Sequence, residues 1–266
     1  MSNIFVQGAS RGLGFTFVQS FLKNPQNMVF ASARTLDKAG GSGISLVDLK
    51  KSYPDNLQLI EMDVTKEENV ASAAAEVKEK AGRLELLINC SAILHPTGRG
   101  ETKLADIKPE YLHEIFAVNT ISPLIMAKHF AKILQKGNGS IGSDEFQNSK
   151  ELNHAAVIAN LSARIGSIDG NKLGGWYSYR MSKTALNMGN KTLAIELARG
   201  KNRVATINLH PGTVNTDLTR PYHRGIPKDK LFTPEYSVEM LLKVIQSASM
   251  KNTGSFFAYD GTEIEW

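Results

Sequence analysis

Asn3-Ile4-Phe5-Val6-Gln7-Gly8-Ala9-Ser10-Arg11-Gly12-Leu13-Gly14 is the stretch on which the fold turns. Its first five residues make a short apolar run of strand character, and a helical pattern follows the last glycine through Leu22. Strand, glycine turn and helix together make a phosphate site plausible on physical grounds. Glycines permit a tight turn and close backbone approach, and the helix N-terminus offers unbonded N–H groups to a pyrophosphate. The spacing is G-x-x-x-G-x-G. An ordinary βα turn has a similar outline. The position at the first βα junction favours a dinucleotide, with Gly8, Ser10, Arg11, Gly12, Leu13 and Gly14 around its phosphates.

Outward from this turn, strands and helices keep alternating. Met28–Ala33 reads as the second strand. An NAD site places a carboxylate about 20 residues past the glycines, where it accepts the ribose hydroxyls. This chain has Ala33-Arg34 there, with no acid before Asp37. Arg34 and Arg11 suit a 2′-phosphate, so NADP(H) is expected over NAD(H). The segment Ala39-Gly40-Gly41-Ser42-Gly43 follows no strand and reads as a lead into a helix over 44–52. A third strand is expected over 57–64, where Asp63 meets an adenine edge or caps the helix that runs to Ala81. The fourth, 84–89, ends in Asn89-Cys90-Ser91-Ala92, small residues that let a cofactor lie against the backbone.

The helix expected over 110–136 contains Asn119 and Pro123. Proline cannot bond the carbonyl four residues back, so a kink is expected at Asn119. The polar stretch 137–153 precedes the fifth strand, 155–161, and reads as an insertion at the sheet's N-terminal edge. Loops 93–109, 165–175 and 213–231 leave the C-terminal ends of strands and should line a pocket, with Ile93, Leu94, Ile165, Ile168, Leu173 and Trp176 making it partly apolar. His95 reads as a solvated loop histidine. A sixth strand over 204–209 leads to Pro211-Gly212-Thr213-Val214-Asn215-Thr216 and a basic, lid-like segment, 217–231. A helix from Thr233-Pro234 and a strand over 254–260 complete the pattern. Alternation without a repeat or second core predicts an α/β fold: one doubly wound parallel sheet of about seven strands with helices on both faces, a single domain over 1–266.

The 266 residues are 42% hydrophobic and 21% charged, enough for one sizeable core. No apolar run reaches the roughly 20 residues of a membrane span, and the first residues enter a strand without a signal-like segment. Cys90 is the only cysteine, so no intrachain disulfide forms, and a cytoplasmic compartment is expected. The net charge of +5 is scattered, which suits an anionic ligand but is too diffuse to argue for nucleic acid, so neither nucleic acid nor a membrane is expected as a partner. The six histidines are dispersed and give no metal spacing.

Trp176-Tyr177-Ser178-Tyr179-Arg180-Met181-Ser182-Lys183 opens a helix expected to reach Arg199. Tyr179 and Lys183 are four residues apart and share one face, whereas Tyr177 lies on the other side from Lys183. A phenol titrates at about 10, and a neighbouring ammonium should lower that value. The pair can then exchange a proton with a carbonyl/alcohol couple. Ser162, at the end of the fifth strand, can donate to a substrate oxygen near Tyr179.

In order along the chain, Gly8/Gly12/Gly14, Asp63-Val64, Asn89, Asn119, Ser162, Tyr179/Lys183 and Pro211-Gly212 with Thr216 resemble the motifs of the short-chain dehydrogenases/reductases over nearly the whole length. The ending Phe256-Phe257-Ala258-Tyr259-Asp260-Gly261 through Trp266 is similar to the C-factor/sniffer-like carbonyl reductases. Gln7 replaces a frequent Thr, and Cys90-Ser91-Ala92 replaces Asn-Ala-Gly. The resemblance implies a Rossmann fold and an active site of Asn119, Ser162, Tyr179 and Lys183. It implies NADPH/NADP+ held by the glycine turn, Arg34, Asp63, Val64, Asn89, Ser91, Ala92, Tyr179, Lys183, Pro211, Gly212, Val214 and Thr216, with Thr213 nearby. The implied chemistry is hydride exchange between nicotinamide and a small carbonyl or alcohol, with Tyr179 handling the proton and Asn119 holding a water. A homodimer or homotetramer is implied through the helices that begin near Glu110 and Trp176. The alternative is a non-enzymatic NADP-binding sensor on the same fold.

Overall fold

The computed structural model describes residues 1–37, 43–141 and 153–266. Most of the glycine-rich lead 39–43 and of the 137–153 insertion lies outside the described residues. The strands are β1 (Asn3–Gln7), β2 (Met28–Ala33), β3 (Leu57–Glu61), β4 (Leu86–Asn89), β5 (Ala156–Leu161), β6 (Val204–His210) and β7 (Phe256–Ala258). They form one sheet in the order β3-β2-β1-β4-β5-β6-β7, with every neighbouring pair parallel. The order reverses between β1 and β4. In an open α/β sheet, ligands bind in the crevice opened there, at the carboxyl ends of the strands.

The helices are α1 (Gly12–Leu22), α2 (Leu46–Ser52), α3 (Glu67–Ala81), α4 (Pro109–Phe116), α5 (Ser122–Leu134), α6 (Tyr177–Leu197) and α7 (Pro234–Gln246). Side chains alternate across each strand, so both faces of a parallel sheet need cover. Ile4 and Val6 face one way and pack with Phe17, Leu46 and Leu241 of α1, α2 and α7. Phe5 faces the other way and packs with Val70, Met126 and Phe130 of α3 and α5. Ser45 begins α2 with a reciprocal capping box to Asp48, two residues later than expected.

Three departures from the sequence reading are local. The helix over 110–136 is not one kinked rod. It is α4, a π-turn over Ala117–Ile121, then α5, with Pro123 in the first turn of α5. The missing proline N–H forces the wider turn at the expected place. The lid-like segment contains two short 3-10 turns, Arg220–Gly225 and Lys228–Lys230. The third and fourth strands are shorter than 57–64 and 84–89, because pairing stops at Glu61 and starts at Leu86.

One register row shapes the site. Gln7 pairs with Asn89, Asn89 with Asn160, and Asn160 with Asn208. These amides form a polar row across four strands beneath the crevice. Asn89 Nδ2 donates to Asn160 Oδ1 at 2.7 Å, and Asn160 Nδ2 donates to Asn190 Oδ1 on α6 at 2.9 Å. Asn208 Nδ2 donates to Asn187 Oδ1, also on α6, at 2.9 Å.

Candidate active site

A cleft of about 1090 Å³ runs along the carboxyl ends of the strands. The glycine turn forms one wall. Gly8 and Ala9 both donate their N–H groups to the Ser32 carbonyl, at 3.0 and 2.8 Å, which ties the turn to β2. Gly8 has φ +79°, and a Cβ on Gly14 would come within 2.2 Å of the Gly8 carbonyl oxygen. Glycine is therefore required at both positions. No side chain caps the start of α1, so its first N–H groups face the cleft available to an anion. Ser10 sits in a G-x-S-x-G spacing with Gly8 and Gly12. Four of the six histidines bond Thr97, Glu67, the Ala248 carbonyl and Thr219, and no histidine is hydrogen-bonded to Ser10 among the described residues.

Gly8, Ser10, Arg11, Gly12, Leu13, Gly14, Arg34, Asp63, Val64, Ser91, Ala92, Pro211, Gly212, Thr213, Val214 and Thr216 all line this cleft. Asp63 Oδ1 accepts from the Thr65 N–H and hydroxyl at 3.0 and 2.7 Å, so it also caps its own turn. Gln7, the departure from threonine, accepts from the Ser91 N–H at 3.0 Å and steadies the strand-end segment. Arg11 is partly neutralised by Asp217 at 3.4 Å, while Arg34 is exposed and has no ion pair among the described residues.

Two expected residues do not reach the cleft. Asn89 turns into the amide row, because its register partner Asn160 stands on the same face. Asn119 is wholly buried. Its Oδ1 accepts from Ile93 N–H at 2.9 Å, and its Nδ2 donates to the Ile93 carbonyl at 2.8 Å and Ser182 Oγ at 3.0 Å. It fastens the segment after β4 to α6, with the π-turn supplying the angle.

Ser162, Tyr179 and Lys183 converge at the cleft floor. Ser162 Oγ donates to Asn187 Oδ1 at 2.7 Å rather than into the cleft. Lys183 Nζ donates to the Leu161 carbonyl at 2.7 Å and lies 5.7 Å from the centre of the Tyr179 ring. Burial dominates both groups. It pushes the Tyr179 phenol above its ordinary value and Lys183 down to about 7. The expected lowering of the phenol by the ammonium is not seen: both charged forms lose solvent, and burial sets the direction of both shifts.

Of the remaining wall residues, Trp176 was expected, whereas Tyr222, Arg164 and His210 were not singled out. Trp176 is held at φ +52° by its N–H donating to the Glu101 carbonyl at 2.6 Å, and its ring lies 4.6 Å from Tyr222 and 6.3 Å from Tyr179. Such a backbone costs on the order of 1–3 kcal/mol and persists where surroundings enforce it. Tyr222 also accepts the Gly100 N–H at 2.9 Å, joining the lid segment to the 93–109 loop. Arg164 and His210 line the cleft as well. Nothing in the spacing of Tyr222 or Arg164 signals this, because loop folding places them. Ile168 and Leu173 are 72% and 93% exposed and do not line the pocket, whereas Ile93, Leu94 and Ile165 do. His95 is buried, not solvated, with its ring edge-on to Tyr111 and Nε2 3.9 Å from the buried Glu101.

A family model described as enoyl-(acyl carrier protein) reductase matches residues 8–263. The chain belongs to the short-chain dehydrogenases/reductases. An NADPH-bound carbonyl reductase from chicken fatty liver is 31% identical, covers 100% of this chain and 99% of its own, and superimposes with a TM-score of 0.82. The carbonyl reductase Sniffer of D. melanogaster is 27% identical with full coverage of both chains and a TM-score of 0.83. The C-signal of Myxococcus xanthus is 39% identical over 61% of this chain and 83% of its own. The seven-stranded parallel sheet is accordingly the Rossmann fold of this oxidoreductase family. No helix among the described residues is long and apolar enough to cross a membrane.

Proposed function

We propose that this chain, as one domain over 1–266, is an NADP(H)-dependent carbonyl reductase of small molecules, or runs the same reaction in reverse. One observation carries the reading: Ser162, Tyr179 and Lys183 meet in the same cleft as an uncapped helix N-terminus and an unpaired arginine. That arginine, Arg34, follows β2, where a ribose 2′-phosphate would lie, and the α1 N–H groups suit a pyrophosphate. The residues therefore fit NADPH, which when bound supplies the hydride.

Tyr179 donates its proton to the substrate oxygen. Burial keeps the phenol protonated at neutral pH, which suits the reducing direction. Lys183 stands behind it as the cation that stabilises a transient phenolate. Ser162 must swing its hydroxyl from Asn187 to hydrogen-bond the substrate oxygen as charge develops there. Asn119 acts from behind, fixing α6 against the segment after β4 and leaving its main chain to hold a water toward Lys183. The stripe Met181, Met188 and Ile195 on α6, spaced by seven and each more than half exposed, supports a homodimer or homotetramer. A monomer by sedimentation velocity would remove that part. The lone Cys90 suits a reducing compartment, and the site of action in this reading is the cytoplasm.

The test is NADPH and NADH oxidation against aldehydes, ketones and quinones, with Tyr179→Phe and Arg34→Ser alongside. Wild type should turn over with NADPH, and Tyr179→Phe should lose roughly 10²–10⁴-fold while still binding NADPH. Arg34→Ser should shrink the preference for NADPH over NADH. Undiminished turnover in Tyr179→Phe sinks the reading. The likeness to a protein named C-signal favours one rival, an NADP-binding signalling protein. Tight NADPH binding with no carbonyl turned over would select it.

A further inference from the structure

Four arginines line the cleft: Arg11, Arg34, Arg164 and Arg220. Asp217 holds two of them, Arg11 at 3.4 Å and Arg220 at 2.6 Å. The basic lid expected from the sequence is therefore largely neutralised where it meets the cleft. Arg34 and Arg164 are exposed, and neither has an ion pair or side-chain hydrogen bond among the described residues. They follow β2 and β5, which are three strand spacings apart, or roughly 14 Å. One small anionic group cannot serve both.

Arg164 begins the turn Arg164–Gly166, two residues past Ser162. The backbone of this turn cannot drift from the catalytic helix. Thr184 Oγ1 donates to the Gly166 carbonyl at 2.9 Å, Arg180 Nη1 donates to the Ile165 carbonyl at 3.2 Å, and a Cβ on Gly166 would come within 2.8 Å of Lys183 Cβ. The acid nearest by charge, Asp260, is committed elsewhere. Its carboxylate accepts from the Thr262 N–H at 3.1 Å, which chiefly holds it below its ordinary value, with Arg164 acting only across space. Glu114 lines the cleft from α4 and makes no ion pair with Arg164. The space between is walled by Ile165, Trp176, Tyr222 and Ile226.

We infer that Arg164 is a substrate-recognition residue, and that the site takes a carbonyl or alcohol whose apolar body ends in a carboxylate. This rests on the reductase reading above. A guanidinium offers a rigid fork that matches a carboxylate through two N–H donors. Ile165, Trp176 and Tyr222 cover the body while Ser162 and Tyr179 meet the reacting oxygen.

The probes are 4-carboxybenzaldehyde and methyl 4-formylbenzoate, which share the carbonyl and the ring and differ in charge. KM and kcat are measured for both with NADPH, and their affinities for the enzyme–NADP+ complex are measured by calorimetric titration. Wild type should favour the acid by about tenfold, chiefly in KM. Arg164→Gln should bring the acid-to-ester ratio near one, Arg164→Lys should restore part of it, and NADPH affinity should not follow. Equal treatment of acid and ester by wild type overturns the inference, as does a ratio that Arg164→Gln leaves intact. A parallel loss of NADPH affinity in Arg164→Gln would make it a cofactor residue and also overturn it. Ester turnover reports separately on the reductase reading, and the titrations give the acid-to-ester ratio even if neither aldehyde is reduced.

Discussion

Two buried charges stand at opposite ends of the sheet, and the fold treats them oppositely. At the N-terminal edge, Glu85 is fully buried and saturated. It accepts from the Asn3 N–H at 2.7 Å, Arg83 Nε at 2.8 Å and the Asn138 N–H at 3.3 Å. At the C-terminal edge, Lys183 is 1% exposed and its ammonium has one hydrogen-bond partner among the described residues, the Leu161 carbonyl. The first arrangement offsets the cost of removing a charge from water, and the second leaves much of it standing. Glu85 stitches strand starts together, whereas Lys183 is held in a state from which a proton moves readily.

Replacing Lys183 by methionine should break the comparison most visibly. Turnover should fall by roughly 10²–10⁴-fold, because the group that stabilises the phenolate is gone. Stability should rise, since a desolvated amine becomes an apolar side chain of similar length. The pH dependence shows the same thing. Lys183 titrates at about 7 in the fold, below the ordinary 10.5, with burial as the main cause. Between those values the unfolded chain carries a proton that the folded one lacks, so stability rises with pH across that window. Below pH 7 both states are protonated and the burial cost is present in full. The gain from pH 7 to 10.5 should be on the order of a few kcal/mol in wild type and absent from Lys183→Met. Denaturant melts of both proteins at several pH values would check this, and parallel curves would overturn it.

Glu85→Ala should do the reverse. It leaves two backbone N–H groups and Arg83 without their acceptor, at a cost of about 3 kcal/mol, while kcat per folded molecule stays as it was. A lowered unfolding midpoint with intact kcat is the expected result. A fall in kcat would show that the two edges are coupled.

The contrast between edges also separates what the sequence could reveal from what it could not. The alternation of strands and helices and the doubly wound sheet were readable, because apolar runs bounded by glycine and helix patterns point to that arrangement. The glycine turn was readable because backbone sterics confine those conformations to glycine. Tyr179 and Lys183 were readable because helical spacing alone puts them on one face. The direction of the Asn89 side chain was not: whether a strand-end amide faces ligand or core depends on its register partner, and Asn160 lies far along the chain. The raised phenol was missed for a similar reason. Proximity to an ammonium can be read from spacing, but the burial that overrides it comes from residues throughout the fold. Arg164 escaped notice because ion pairing is a property of neighbours, and those who hold Arg11 and Arg220 are known only in three dimensions.

The amide row suggests the smallest and most selective test. Asn187 receives the Ser162 hydroxyl at 2.7 Å and the Asn208 amide at 2.9 Å on the same oxygen, and its own amide reaches the Gly166 carbonyl at 3.3 Å. It does not line the cleft, and its one side-chain hydrogen bond to a cleft residue proposed for the chemistry is with Ser162 among the described residues. Asn187→Ala should lower kcat by about tenfold, the worth of one well-placed buried hydrogen bond, with KM little changed. A plain packing role could produce a loss of that size, so the deciding measurement is the same substitution in a Ser162→Ala background. If Asn187 works by fixing the Ser162 side chain in the position from which its hydroxyl turns to substrate, it should cost nothing further there, because that hydroxyl is gone. If the tenfold loss repeats in that background, Asn187 acts on the fold of α6 rather than on Ser162, and the amide row is structural support alone.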